Sequence, residues 1–157
     1  MCSRYTLILD DGFAGRFGVA AVPKGCRSSY NVAPGRTVPV IIQQDARKAV
    51  PMRWGITPRF ANEGKTGERV INARSETLAE RPMFKNLVRE TRCLVPASGF
   101  YEWKNEGARR VPFHIRLASG QPFSFAGLYD PAGDPRATDG RAFAIITTRA
   151  NALVAPV

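Results

Sequence analysis

The second residue is a cysteine directly behind an initiator methionine, in Met1-Cys2-Ser3-Arg4-Tyr5. With Met1 in place, Cys2 is an ordinary thiol near a chain end. With Met1 removed, it carries a free α-amine and a thiol two carbons apart, a 1,2-aminothiol. An α-amine has an unperturbed pKa of about 7.7–8.0, against about 10.4 for lysine. At neutral pH it is far more often the free base that attacks a carbonyl. The imine formed with an aldehyde can then be trapped by the thiol as a five-membered thiazolidine. A small second residue also permits removal of Met1. The competing reading is a small buried hydrophobe, the role of many cysteines.

Other residues could assist such chemistry. Glu102 lies in Gly99-Phe100-Tyr101-Glu102-Trp103-Lys104. A carboxylate between aromatics suits general acid–base work when partly desolvated. On a strand that alternates faces it is instead a solvated glutamate. Asn72, in Val70-Ile71-Asn72-Ala73-Arg74-Ser75-Glu76, has an amide that can hold an amine or a substrate oxygen. Either Asn72 or Ser75 could equally cap a helix that starts here. Trp54 stands near Arg53 and Arg59, and basic residues among aromatics suit single strands. Trp54 as core fits as well. Met83 and Phe84 read as a base-unstacking wedge or as helix core. His114 alternates with Phe113 and Ile115 and reads as a structural or surface residue. A dyad of Cys2 with His114 has no support beyond the presence of both.

These side chains need a scaffold, and its elements are short. Runs 37–44, 50–56, 92–97, 99–104, 111–118, 122–129 and 142–148 are β-branched or apolar and predict strands. Turn signals at 105–107, 118–120 and 131–140 separate several of them. Asn31-Val32-Ala33-Pro34-Gly35 is a turn with a rigid Pro-Gly pair. Residues 74–90 are rich in helix formers, and Pro82 splits them into two short helices. A weak helix is expected within 13–26. The class is β-rich α+β: a curved, barrel-like mixed sheet with a few short helices. A sheet ending with the last strand is expected to leave an unpaired edge.

Composition narrows the partner. The 157 residues fit one domain, 1–157, and 44% hydrophobic content supports a core. No stretch approaches the ~20 apolar residues of a membrane span. No basic region followed by an apolar one opens the chain, so a cytoplasmic, nucleoid-associated location is expected. The net charge is +10. The surplus leans toward the N-terminal third, where Cys2 sits. A basic, arginine-rich surface favours a polyanion through counterion release. The three cysteines are widely spaced and only one histidine is present. That inventory fits neither a disulfide framework nor a metal site, and no cofactor is expected.

The ordered pieces MCSRY, YNVAPG, WGITP, INARSET, RPMFK, RCLVPASGFYEWK, PFHI, FAGLYD and FAIITTRAN resemble the SOS response-associated peptidase (SRAP) family. They span nearly the whole chain. The resemblance implies a sensor of abasic sites in single-stranded DNA, whose ring-opened sugar presents an aldehyde. Cys2 becomes the N-terminus by a self-peptidase step and cross-links through a thiazolidine. Asn72 would orient Cys2, and Glu102 would shuttle protons. Arg4 and Arg74 would hold phosphates, and Trp54, Met83 and Phe84 would support kinked DNA. Asn31 and Pro34 complete the expected DNA-binding set.

Two departures stand out. Ser3 replaces the family's usual glycine. The family pattern continues past TTRANALVAPV with an active-site histidine, whereas this chain stops at Val157. The resemblance therefore implies a domain that is C-terminally incomplete. Cross-linking would be retained in part, with release and strand cleavage impaired. The alternatives are a non-covalent single-strand binding module, or a cysteine peptidase acting on other proteins.

Overall fold

The computed structural model describes residues 2–58, 69–133 and 140–157. Arg59 and most of the turn expected at 131–140 lie outside them. Among the described residues ten strands form two sheets: β1 (Tyr5–Leu7), β2 (Ser29–Val32), β3 (Thr37–Gln43), β4 (Arg47–Trp54), β5 (Asn72–Arg74), β6 (Arg92–Ala97), β7 (Gly99–Glu106), β8 (Arg109–Ile115), β9 (Phe123–Asp130) and β10 (Ala142–Thr147). A four-stranded sheet runs β2-β1-β7-β8, all antiparallel. A six-stranded sheet runs β4-β3-β6-β9-β10-β5.

The second sheet closes on itself. The start of β10 pairs in parallel with the end of β4, Ala142 opposite Arg53 and Phe143 opposite Trp54. Its later half pairs in parallel with β5, Ile145 opposite Asn72. The last strand is therefore held between β9 on one side and β4 and β5 on the other. This corrects the expected open edge, because partner exchange along β10 uses backbone groups that an open sheet leaves exposed. The exchange needs a sharp turn after Trp54, which Gly55 supplies at φ 117. A Cβ there would lie 3.0 Å from Arg69 Cβ, so glycine serves both angle and space. The fold is the expected curved, barrel-like mixed sheet with a few short helices.

The two short helices expected within 74–90 are present, but they divide at Asn86 rather than at Pro82. The chain makes a 3-10 turn at Ser75–Thr77, then α2 (Pro82–Lys85) and α3 (Leu87–Glu90). Pro82 opens α2 at its first turn, where a missing N–H costs least. Neither Asn72 nor Ser75 caps a helix: Asn72 is in β5, and the 3-10 turn follows Arg74 with no side-chain cap. The weak early helix is present as α1 (Phe13–Phe17), closed by Gly18 in the left-handed region.

The core lies between the two sheets. Tyr5 and Leu7 of β1 face inward, fully buried. The Tyr5 ring meets Trp54 edge-on at 5.2 Å and Phe125 at 5.8 Å. Trp54 stacks parallel on Phe143. Phe100 of β7 packs edge-on against Phe123 and Phe125. Such rings carry much of the burial energy of a small domain.

One barrel position has no spare room. Gly127 sits opposite Cys93 and Ile145. An added Cβ would come 2.9 Å from Cys93 Sγ, 3.0 Å from Val95 Cγ2 and 3.1 Å from the Ala144 carbonyl. Gly127→Ala is expected to destabilise the fold by about 1–3 kcal/mol, the usual cost of overpacking. Urea denaturation should show a lower midpoint at unchanged slope. An unshifted midpoint would mean that the barrel relaxes freely here.

Candidate active site at Cys2

Three elements converge on Cys2. Antiparallel pairing puts Tyr5 opposite Phe100, and the Tyr101 N–H donates to the Arg4 carbonyl at 2.9 Å. The same register carries Glu102 along the N-terminal segment toward Cys2. From the other sheet, β5 brings Asn72. Its Nδ2 donates to the Cys2 carbonyl at 2.8 Å. β5 is only three residues long, and its pairing with β10 fixes that approach.

Cys2 is buried, 6% exposed. Its Sγ lies 3.7 Å from the Arg4 carbonyl, a weak S–H donation. Burial pushes the thiol up to about 12, and the Glu102 carboxylate pushes the same way. A backbone hydrogen bond at Arg4 and the chain's amino terminus oppose them, more weakly. The thiol is therefore protonated at neutral pH and needs a proton acceptor before it can act as a nucleophile. The Glu102 charge is thus felt at the Cys2 thiol.

Two polar atoms at the site are buried and unpartnered. One is Asn72 Oδ1, beside the amide nitrogen that holds Cys2. The other is the Tyr5 hydroxyl, whose phenol is pushed upward by burial and by Cys2. Buried groups without partners are costly and concentrate at functional sites. Tyr5 escaped the sequence reading. Its signal was the inward parity it shares with Leu7, three positions after Cys2.

The expected DNA-binding residues divide. Arg4 Nη1 donates to Asn31 Oδ1 at 2.9 Å, which brings two of them together. Pro34 is exposed in a turn closed by the Arg36 N–H on the Ala33 carbonyl. Gly35 takes φ 86 there, as a type II turn requires after proline. Arg74 is exposed and borders a pocket of about 370 Å³ with Glu76, Thr77, Thr147, Thr148 and Arg149. Glu76 is held below the usual carboxylate range by backbone and Ser75 hydrogen bonds and by Arg149.

Trp54 and Phe84 are elsewhere. Trp54 is 0% exposed and its Nε1 donates to the Ile71 carbonyl at 2.9 Å. Phe84 is 1% exposed, packed with Ala73, Leu78 and Leu128. Neither presents a face at the surface, so each takes the core placement that the sequence left open beside a DNA-supporting one. Both lie where their apolar area is best removed from water. Met83 is half-buried and lines a pocket of about 340 Å³ with Pro82, Leu87 and Thr57. His114 is also not a partner for Cys2. Its Nε2 lies 3.1 Å from Thr6 Oγ1, opposite Tyr101.

Among the described residues no group of three or more His, Cys, Asp or Glu could hold a metal ion, and the three cysteines are free thiols. Among them, too, no helix is long and apolar enough to cross a membrane.

A barrel-like mixed sheet that buries a cysteine at position 2 under an asparagine and a glutamate defines a recognisable class. The chain belongs to the SOS response associated peptidase (SRAP) family, whose family model matches residues 1–157. It is 38% identical over 159 residues to the abasic site processing protein YoqW of Bacillus subtilis, covering 98% of this chain and 71% of that one. It is 37% identical over 156 residues to YoaM of the same organism, described likewise, covering 96% and 69%. A solved structure from Bacteroides thetaiotaomicron superposes with a TM-score of 0.86 at 28% identity, over 99% of this chain and 72% of that one.

Proposed function

We propose that this protein captures abasic sites in single-stranded DNA by a covalent bond to Cys2. The observation that carries this reading is the grip of Asn72 on the Cys2 backbone, 2.8 Å at the carbonyl, with Glu102 acting on the thiol. A structural cysteine has no need of either.

The chemistry proceeds in balanced steps. Hydrolysis of the Met1–Cys2 peptide consumes one water and frees the α-amine. The amine adds to the ring-opened sugar aldehyde, giving a carbinolamine. Loss of one water leaves the imine. The thiol adds to the imine carbon, its proton ends on nitrogen, and the thiazolidine closes. Glu102 takes and returns the protons that these steps move. The unpartnered Asn72 Oδ1 is an acceptor for an N–H of the freed amine. Arg4 with Asn31, and Arg74, supply contacts to the backbone phosphates.

Intact mass after mixing the chain with a single-stranded oligonucleotide bearing one abasic site tests this reading. The expected product has lost Met1 and gained the oligonucleotide minus one water, with no adduct on the intact oligonucleotide. A processed chain that forms no adduct would overturn it.

A further inference from the structure

The outer face of the four-stranded sheet carries a pattern that the chemistry at Cys2 does not use. Along β7, Phe100 turns inward onto Phe123 and Phe125. Strand alternation then turns Tyr101 and Trp103 outward. Their ring centroids are 6.4 Å apart. His114 of β8 pairs with Tyr101, and the two rings are 4.9 Å apart. Two of these rings, Tyr101 and His114, are anchored. The Tyr101 hydroxyl donates to the Tyr30 carbonyl at 3.0 Å, and His114 Nε2 meets Thr6 Oγ1. Arg110, exposed, places its guanidinium 6.0 Å from the Trp103 ring centroid.

The edge of this sheet runs alongside the N-terminal segment. Arg4 follows the outward parity of Thr6, and its carbonyl accepts the Tyr101 N–H. Because β7 runs antiparallel to β1, the positions after Tyr101 continue alongside Ser3 and Cys2. A row of Arg4, Tyr101, His114, Trp103 and Arg110 thus crosses the outer face and starts in the N-terminal segment that carries Cys2, whose own side chain is buried in the core.

We propose that this row is a stacking track for the bases of an unpaired DNA strand next to the lesion, with Arg4 and Arg110 on its phosphates. Aromatic faces interleaved with guanidinium groups bind single strands without regard to sequence. Rings already fixed by hydrogen bonds lose little freedom on binding. The row is open and basic rather than a continuous apolar patch, which selects a strand over a protein core. The proposal rests on single-stranded DNA as the ligand of the Cys2 site, but not on the covalent step.

Trp103 is its own reporter, since the chain's other tryptophan, Trp54, is fully buried. The full chain is titrated with an oligonucleotide that has no abasic site. Trp103 fluorescence should change with the single strand and not with a blunt duplex at equal concentration. Trp103→Ala should weaken binding of the intact strand ~5- to 150-fold, the usual loss of one base–aromatic stack, and Trp103→Phe should restore most of it. Arg110→Ala, on an exposed position, should lower the salt slope by about one while leaving the melting temperature unchanged. Wild-type affinity in a folded Trp103→Ala, or an equal response to duplex, overturns the track. If abasic DNA gives no adduct while Trp103→Ala still loses affinity for the intact strand, the covalent reading fails and the track stands.

Discussion

Replacing Cys2 by alanine, with Met1 removed, is expected to abolish the denaturant-resistant DNA adduct. The α-amine survives in Cys2→Ala and still condenses with the sugar aldehyde. Nothing then closes the ring, so the imine hydrolyses when the complex is denatured. Borohydride added during the reaction should therefore recover an adduct from Cys2→Ala, because reduction of the imine needs no thiol. Affinity for an intact single strand should change little, since Cys2 is 6% exposed. Together these readouts separate three contributions: amine, thiol and non-covalent grip. A wild-type yield of stable adduct from Cys2→Ala without reductant would move the attachment to another nucleophile. A purely non-covalent binder would give no denaturant-resistant adduct from either protein in the absence of reductant.

How far the sequence reached differs from element to element. The barrel strands were legible because runs such as Thr37–Gln43 and Ala142–Thr147 are long, apolar and bounded by turn residues. The strands that build the site were not. Tyr5–Leu7 and Asn72–Arg74 are three residues each, too short for any period to show. Only pairing with β7 and β10, nearly one hundred and about seventy residues downstream respectively, makes them strands. Cys2 could be singled out because its chemistry is local, a thiol beside a prospective amine. For Asn72 the sequence left two roles open, a helix cap and an amide that holds an amine or oxygen; its amide crosses to the Cys2 carbonyl. Trp54 was equally open between a stacking ring and core. Flanking arginines suggested a surface, but strand alternation sends Arg53 and Trp54 to opposite faces. Tyr101 and Trp103 passed as bystanders to Glu102, although that same alternation separates them from it.

The second large effect concerns Glu102. If it carries the protons of imine formation and ring closure, Glu102→Gln should slow cross-linking by about 10²–10⁴-fold, the usual weight of a general acid–base. The substitution keeps shape and removes charge. It should also act on the thiol in the opposite sense. Burial is the larger cause of the raised Cys2 pKa and remains; the Glu102 charge is the next and is lost. The thiol pKa then falls, more thiolate is present at a given mildly alkaline pH, and alkylation of Cys2 becomes faster. Slower cross-linking with faster alkylation distinguishes a lost proton carrier from a merely weakened nucleophile. Local or global unfolding would also speed alkylation, so Cys93 is the control. Burial alone pushes its thiol up to about 12, and it should stay as unreactive in Glu102→Gln as in the wild type. Peptide mapping after alkylation resolves the two cysteines, and a quenched time course gives the cross-linking rate. Cross-linking at the wild-type rate in Glu102→Gln would reduce Glu102 to a neighbour that only raises the thiol pKa. Proton transfer would then have to come from another group or from water, and the unpartnered Tyr5 hydroxyl would be the next atom to remove.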